Sequence, residues 1–190
     1  KPAETPTDMP RIPPQPWQTE PEPVHPVLGG GTGPYRSQLL SDPGNLTQFG
    51  AFIEELPPGS RSGHRHWHEA EDEMIVMLAG HVILVEEHET PLGPGDVAAW
   101  PAGNPVGHRL DNRSDAPARY LVIGTRRPTD RIHYSDHDLI TEKDGSKRRY
   151  LRRDGSEFWA SCSVTALRAP DGHRLAVLLE NDPSDPSHAY

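Results

Sequence analysis

The chain has 190 residues, with 28 acidic against 19 basic side chains and a formal net charge of −9. Such a surface repels phosphate backbones, so nucleic acid is not expected as a partner. A single cysteine, Cys162, excludes an internal disulfide framework, and no apolar run reaches the length of a bilayer span, so no membrane partner is expected.

No signal-peptide pattern opens the chain, which places it in the cytoplasm by expectation. Apolar residues are only 33% of the total, alongside 22 Pro and 17 Gly, a balance that suits many short strands joined by turns. Residues 1–34 hold ten prolines. Proline removes a backbone donor and stops helices, so this part reads as an extended arm, with Trp17 and Val24 available for docking. Gly29 to Gly33 is glycine-rich, but no strand precedes it and no Lys-Ser/Thr follows, which argues against a phosphate loop.

From Tyr35 the texture changes. Thr47 to Leu56 predicts a strand, bounded by Asp42-Pro43-Gly44 and Pro57-Pro58-Gly59. Met74 to Leu78 and Val82 to Val85 are apolar runs around Ala79-Gly80 and predict a hairpin. Pro94-Gly95-Asp96 turns the chain into a short strand, Val97 to Trp100. A loop from Pro101 to Gly107 leads to another strand near His108, and Arg119 to Thr125 forms the next. Turns at such regular spacing, without a long 3.6-residue period, predict a sandwich or barrel of antiparallel strands. After Pro128 the chain is polar and is expected to be a loop with a basic, solvated face at Lys147 to Arg153. Ser161 to Leu167 and Leu175 to Glu180 then predict a closing hairpin around Pro170-Asp171-Gly172. The organisation expected is an arm over 1–34, a barrel over 35–127, and a polar loop with a hairpin extension over 128–190.

The chemistry concentrates between Pro58 and Gly80. His64, His66 and His68 alternate, and residues two apart in a strand share a face with Cα atoms about 6.5 Å apart. Two imidazoles so placed can converge on one metal ion, and a carboxylate a few residues on, Glu71 or Glu73, can approach from a third direction. Imidazole and carboxylate together suit Fe, Mn, Ni, Zn or Cu.

His66-Trp67-His68, Glu73 and Gly80 fit HxH(x)4E(x)6G. Gly95, Pro101 and Gly103 followed by His108 and Asn112 fit G(x)5PxG and then H(x)3N. Together they resemble the two-motif signature of the cupin superfamily, across roughly Leu46 to Thr125, and more narrowly a group of single-domain bacterial cupins. One departure is that four residues, Asn104 to Gly107, separate Gly103 from His108, where two are usual. The resemblance implies an all-β double-stranded β-helix (a cupin or jelly-roll barrel) with one divalent transition metal held by His66, His68, Glu73 and His108. It selects Glu73 over Glu71, since six residues separate Glu73 from the turn glycine and eight separate Glu71 from it. It also implies a homodimer, to which the Met74 to Leu78 strand could contribute an interface. Residues 148–182 further resemble the closing strands of a PAS sensor domain, too short a piece to form a complete pocket.

On this reading the protein is a metal-dependent enzyme acting on a small organic metabolite, by isomerase, lyase or dioxygenase chemistry, with Glu73 and His108 as catalytic groups. The alternative is a non-catalytic sugar or small-molecule binding or sensor module. Trp100, Arg109, Tyr120 and Arg126 are the substrate-pocket candidates, and His64 and Glu71 are placed beside the ligands. Cys162 reads as a small buried hydrophobe, and His81, His88, His133, His137, His173 and His188 as surface residues.

Overall fold

Short strands and tight turns are indeed what this sequence forms. A computed structural model of the chain describes residues 11–157, and its regular structure there is thirteen β-strands and one 3-10 turn at Asp42–Gly44. No helix among the described residues is long and apolar enough to cross a membrane. The first five strands are β1 (Gln18–Glu20), β2 (Tyr35–Leu39), β3 (Phe49–Leu56), β4 (His66–His68) and β5 (Glu73–Ala79). The middle five are β6 (Val82–Val85), β7 (Glu89–Leu92), β8 (Val97–Trp100), β9 (Arg109–Asp111) and β10 (Ala118–Thr125). β11 (Thr129–Tyr134), β12 (Leu139–Asp144) and β13 (Lys147–Leu151) close the described chain.

One antiparallel sheet runs in the order β1-β2-β3-β10-β5-β8, a second in the order β7-β6-β9 and a third in the order β13-β12-β11-β4. Alternation sends Ile75 and Met77 of β5, and Tyr120 and Val122 of β10, to one face. They meet Val82, Leu84, Leu92 and Leu110 from the β7-β6-β9 sheet in a single core. Each large apolar side chain buried there contributes about 1.5–3 kcal/mol relative to exposure. The outward residues of β5 and its neighbours are also apolar: Met74, Val76, Leu121 and Ile123 are half-buried, while Leu78 and Val97 are exposed.

Three expectations are corrected. β5 and β6 do not pair as a hairpin; they lie in different sheets and face each other across the core, which is why both runs are apolar. Gly80 carries the crossing. Its φ is +72°, and a Cβ there would lie 2.5 Å from the Pro117 carbonyl oxygen, so only glycine fits. Second, the stretch after Pro128 is not a polar loop. β11 pairs with β4 and with β12, and β12 with β13, and both faces are covered where Leu139 and Ile140 of β12 and Tyr150 and Leu151 of β13 are buried. The strands were hidden because polar residues, Asp130 and Thr141, also take buried places. Third, the arm is partly layered onto the fold. Residues 17–20 lack proline and keep their donors, so β1 pairs with β2, and Arg36 and Arg119 lie over the Trp17 ring at 4.7 and 5.6 Å. The predicted closing hairpin, with Cys162, His173 and His188, lies outside the described residues.

Gly80→Ala should therefore destabilise the fold by about 2 kcal/mol or more, since it adds both left-handed backbone strain and a backbone clash. The check is a lower denaturant midpoint at unchanged slope.

Candidate metal centre

β4 is three residues long, and its register against β11 sets His66 opposite Tyr134 and His68 opposite Ile132. His66 and His68 share the inner face, while Trp67 turns outward and stacks on His133 with ring centroids 4.1 Å apart. His108 reaches the same place from the loop before β9. It pairs with His66 through the backbone in both directions, at 3.2 and 3.0 Å. Glu73 opens β5 on the face that continues into Ile75 and Met77. One ligand atom from each of His66, His68 and Glu73 lies within 4.8 Å of the others. The Glu73 carboxylate is 3.8 Å from His68 Nε2 and 3.6 Å from His108 Nε2.

The tautomers follow from the acceptors around the rings. His66 Nδ1 donates to the carbonyl of His64 at 2.8 Å, and His108 Nδ1 to that of Val106 at 3.3 Å. His68 Nδ1 lies 2.6 Å from the Asp130 carboxylate. Oxygens of this kind only accept, so each Nδ1 holds a proton and each neutral ring keeps a bare lone pair on Nε2. Burial lowers the pKa of His66 to about 4, which keeps it neutral. Burial also opposes the charged form of His68, but the Asp130 bond and the nearby carboxylates outweigh it and raise that ring. Burial alone would raise Glu73; the His108 ring, with His66 and His68, outweighs it and holds the carboxyl below its ordinary range.

The buried Nε2 of His108 has no hydrogen-bond partner among the described residues. Leaving such an atom bare costs on the order of 1–3 kcal/mol. The His66 and His68 imidazoles and the Glu73 carboxylate, with the bare His108 Nε2 beside that carboxylate, form a donor set for a divalent transition metal. These residues fit such an ion.

A cavity of about 490 Å³ opens beside this cluster, bordered by His66, Glu73 and His108. All four pocket candidates from the sequence, Trp100, Arg109, Tyr120 and Arg126, border it too. Trp100 stacks on the His108 ring at 3.7 Å and donates its indole N–H to Glu86 at 2.7 Å, so it fixes His108 as well as lining the wall. Arg109 is held by Asp111 at 2.8 Å and lies 3.5 Å from Asp136; Arg126 is paired with Asp42. His64 supports His66 through its backbone carbonyl, while its ring packs edge-on against His25 and His137. Glu71 is drawn away from His68 Nδ1, to 4.0 Å, by Lys143 at 2.5 Å and the Arg127 N–H at 2.8 Å.

Two residues were missed by sequence reasoning. Asp130 holds the His68 ring and also accepts the Ala70 N–H at 2.9 Å; its shared parity with Ile132 and Tyr134 was the available signal. Glu54 faces the cavity and bonds the Tyr120 hydroxyl. Its parity with Phe52 and Leu56 pointed inward. Burial raises its pKa to about 7, with the Tyr120 bond opposing and the charge of Glu73 adding to the rise.

The sequence profile of the Cupin domain family matches residues 52–124. A crystal structure of a sugar phosphate isomerase of the cupin superfamily from Silicibacter pomeroyi is 41% identical, with a TM-score of 0.70 over 75% of this chain and 92% of that one. A putative sugar phosphate isomerase from Acidithiobacillus ferrooxidans is 25% identical, with a TM-score of 0.65 over 70% and 84% of the two chains. Among curated proteins none matches the chain significantly.

Asp130→Asn removes the charge that aligns His68 and should weaken metal affinity by about 10-fold or more. Competition with a chelator, in a variant whose unfolding midpoint is unchanged, measures it. Glu54 gives a second expectation. A carboxyl with a raised folded pKa binds more protons folded than unfolded between about 4.5 and about 7, so stability falls as pH rises through that window. In metal-free protein, Glu54→Gln should add up to about 3 kcal/mol at pH 8 and nothing below pH 4, read by denaturation at the two values.

Proposed function

The chain belongs to the cupin superfamily, and on that premise we propose that it is a metal-dependent isomerase acting on a small phosphorylated sugar. The observation that carries this reading is the convergence of His66, His68 and Glu73, with the otherwise unused His108 Nε2 at 3.6 Å from the same carboxylate, beside a cavity that His66, Glu73 and His108 border. The likeness to the Silicibacter pomeroyi sugar phosphate isomerase supplies the substrate class.

His66, His68, Glu73 and His108 would hold one ion of Fe, Mn, Ni, Zn or Cu. Such an ion, when bound, supplies Lewis-acid polarisation of a substrate oxygen. The chain does the rest. Phe52, Ile75, Leu110 and Val122 line the cavity with apolar surface and limit water beside the sugar carbons. Arg109 and Arg126 are the cations of this wall. Guanidinium pairs bidentately with phosphate, and an incoming phosphate would take these groups in exchange for Asp136 and Asp42. Met74, Val76, Leu78 and Val97 on the outer sheet face supply a surface through which two copies would pair as a homodimer.

The test is to load the purified chain with each metal in turn and assay a panel of aldose and ketose phosphates for interconversion. Turnover that falls about 100-fold or more on chelation, and likewise in His68→Ala, is the expected outcome. Turnover untouched by chelation sinks the metal role. Full metal occupancy and sugar phosphate binding without turnover would instead make the protein a binding module.

A further inference from the structure

Glu54 and Glu55 are adjacent on β3, and the pleat sends them to opposite faces. On one face Glu55 is held by Arg36 at 2.7 Å and by Arg119. On the other, Glu54 faces the barrel interior, is 8% exposed, and forms no ion pair with any Lys or Arg among the described residues. Its partner is the hydroxyl of Tyr120, directly opposite in the β3–β10 register and 1% exposed. Both groups border the cavity shared by His66, Glu73 and His108. A carboxyl buried against apolar walls without a cation is unfavourable for stability. Glu73 has imidazoles to justify its burial; Glu54 has only a phenol.

We propose that Glu54 is the catalytic acid–base group of this cavity, carrying a proton between adjacent carbons of the substrate, with Tyr120 as the positioning residue that aims its carboxyl. The inference rests on the isomerase reading above and deepens it. The Glu54 carboxylate takes the proton from the carbon next to the carbonyl. The C–H bond breaks, its electron pair becomes the C=C bond of an enediolate, and the carbonyl π pair moves to oxygen. The hydroxyl proton passes to the neighbouring oxygen, the carbonyl re-forms on the other carbon, and Glu54 returns its proton to the carbon that has lost its carbonyl. Atoms and electrons balance without an outside oxidant or reductant. A carboxyl on the cavity wall with a phenol and no cation for a partner is placed both to accept a proton and to return it. Positioned acid–base groups contribute about 10²–10⁴-fold in rate.

The experiment uses the metal-loaded full chain and the panel sugar phosphate that the wild type converts fastest, in D2O, with deuterium at the reacting carbons followed by NMR. Glu54→Gln should keep wild-type metal content and KM, lose about 100-fold or more in kcat, and incorporate no deuterium. Tyr120→Phe should lower kcat by a smaller factor at unchanged KM, since it removes only the aim of the carboxyl. Should Glu54→Gln fail to fold, Glu54→Asp keeps the charge and shortens the reach, and a fall in kcat at constant KM is expected from it. Full kcat in Glu54→Gln overturns this assignment alone. So does a loss of kcat that merely follows a loss of metal, in either Glu54 variant. A wild type that binds metal yet converts no panel sugar overturns the isomerase reading, and this inference with it.

Discussion

Each of the three inward histidines commits its Nδ1 to an oxygen fixed elsewhere in the fold, and the geometry of the whole site depends on that commitment. Two of the oxygens are backbone carbonyls two residues earlier in the chain, at His64 and Val106; the third is the Asp130 carboxylate, 62 residues beyond His68. With the proton placed on Nδ1, neither tautomer nor ring orientation is free, and the Nε2 lone pairs turn toward Glu73. The strand pairings are what deliver the oxygens. His66 and His108 are locked by a two-way backbone pair, and Asp130 is brought alongside by β11 pairing with β4. The site is therefore a product of sheet register more than of loop shape.

The same register separates the two interior carboxylates into different environments. Glu73 sits among imidazoles that favour its charge, so its pKa falls. Glu54 sits four residues along the inner row from Gly50, which lies opposite Gly124, itself the partner of Glu73. There it meets apolar walls and a phenol, and its pKa rises. Two carboxyl groups pushed in opposite directions within one cavity is how a fold divides roles between chemically identical side chains.

How far this could be read from the letters depended on distance along the chain. His66, His68 and Glu73 fall within eight residues, so a period of two and a single turn suffice to bring them together. His108 was legible only through the linked spacing of two motifs. Asp130 was not, because its contact arises from a strand pairing that a polar stretch disguised. β11 to β13 alternate polar with polar at several positions, and Thr141 is buried as thoroughly as Ile140, so apolar periodicity carried little signal there. The supposed β5–β6 hairpin failed for the opposite reason. Two apolar runs beside a glycine look alike whether they pair in one sheet or face each other across a core, and only the close approach of Gly80 to Pro117 and Ala118 distinguishes the cases.

The segments outside the barrel motifs are not ornament, because they meet over one end of it. His25 of the arm accepts the N–H groups of Val27 and Leu28 on its Nδ1, at 3.1 Å each, so its Nε2 carries the proton and donates to the Tyr134 hydroxyl of β11 at 3.0 Å. Arm and added strands thus close on each other above a smaller cavity of about 340 Å³ that His66 and Glu54 also border. That closure removes water from this end of the barrel. Desolvation is the largest cause of the low pKa of His25, the low pKa of His66 and the high pKa of Glu54. The motifs supply the candidate ligands, but it is the arm and the β11–β13 extension that help set the dielectric in which an imidazole stays neutral and a carboxyl titrates above its ordinary range.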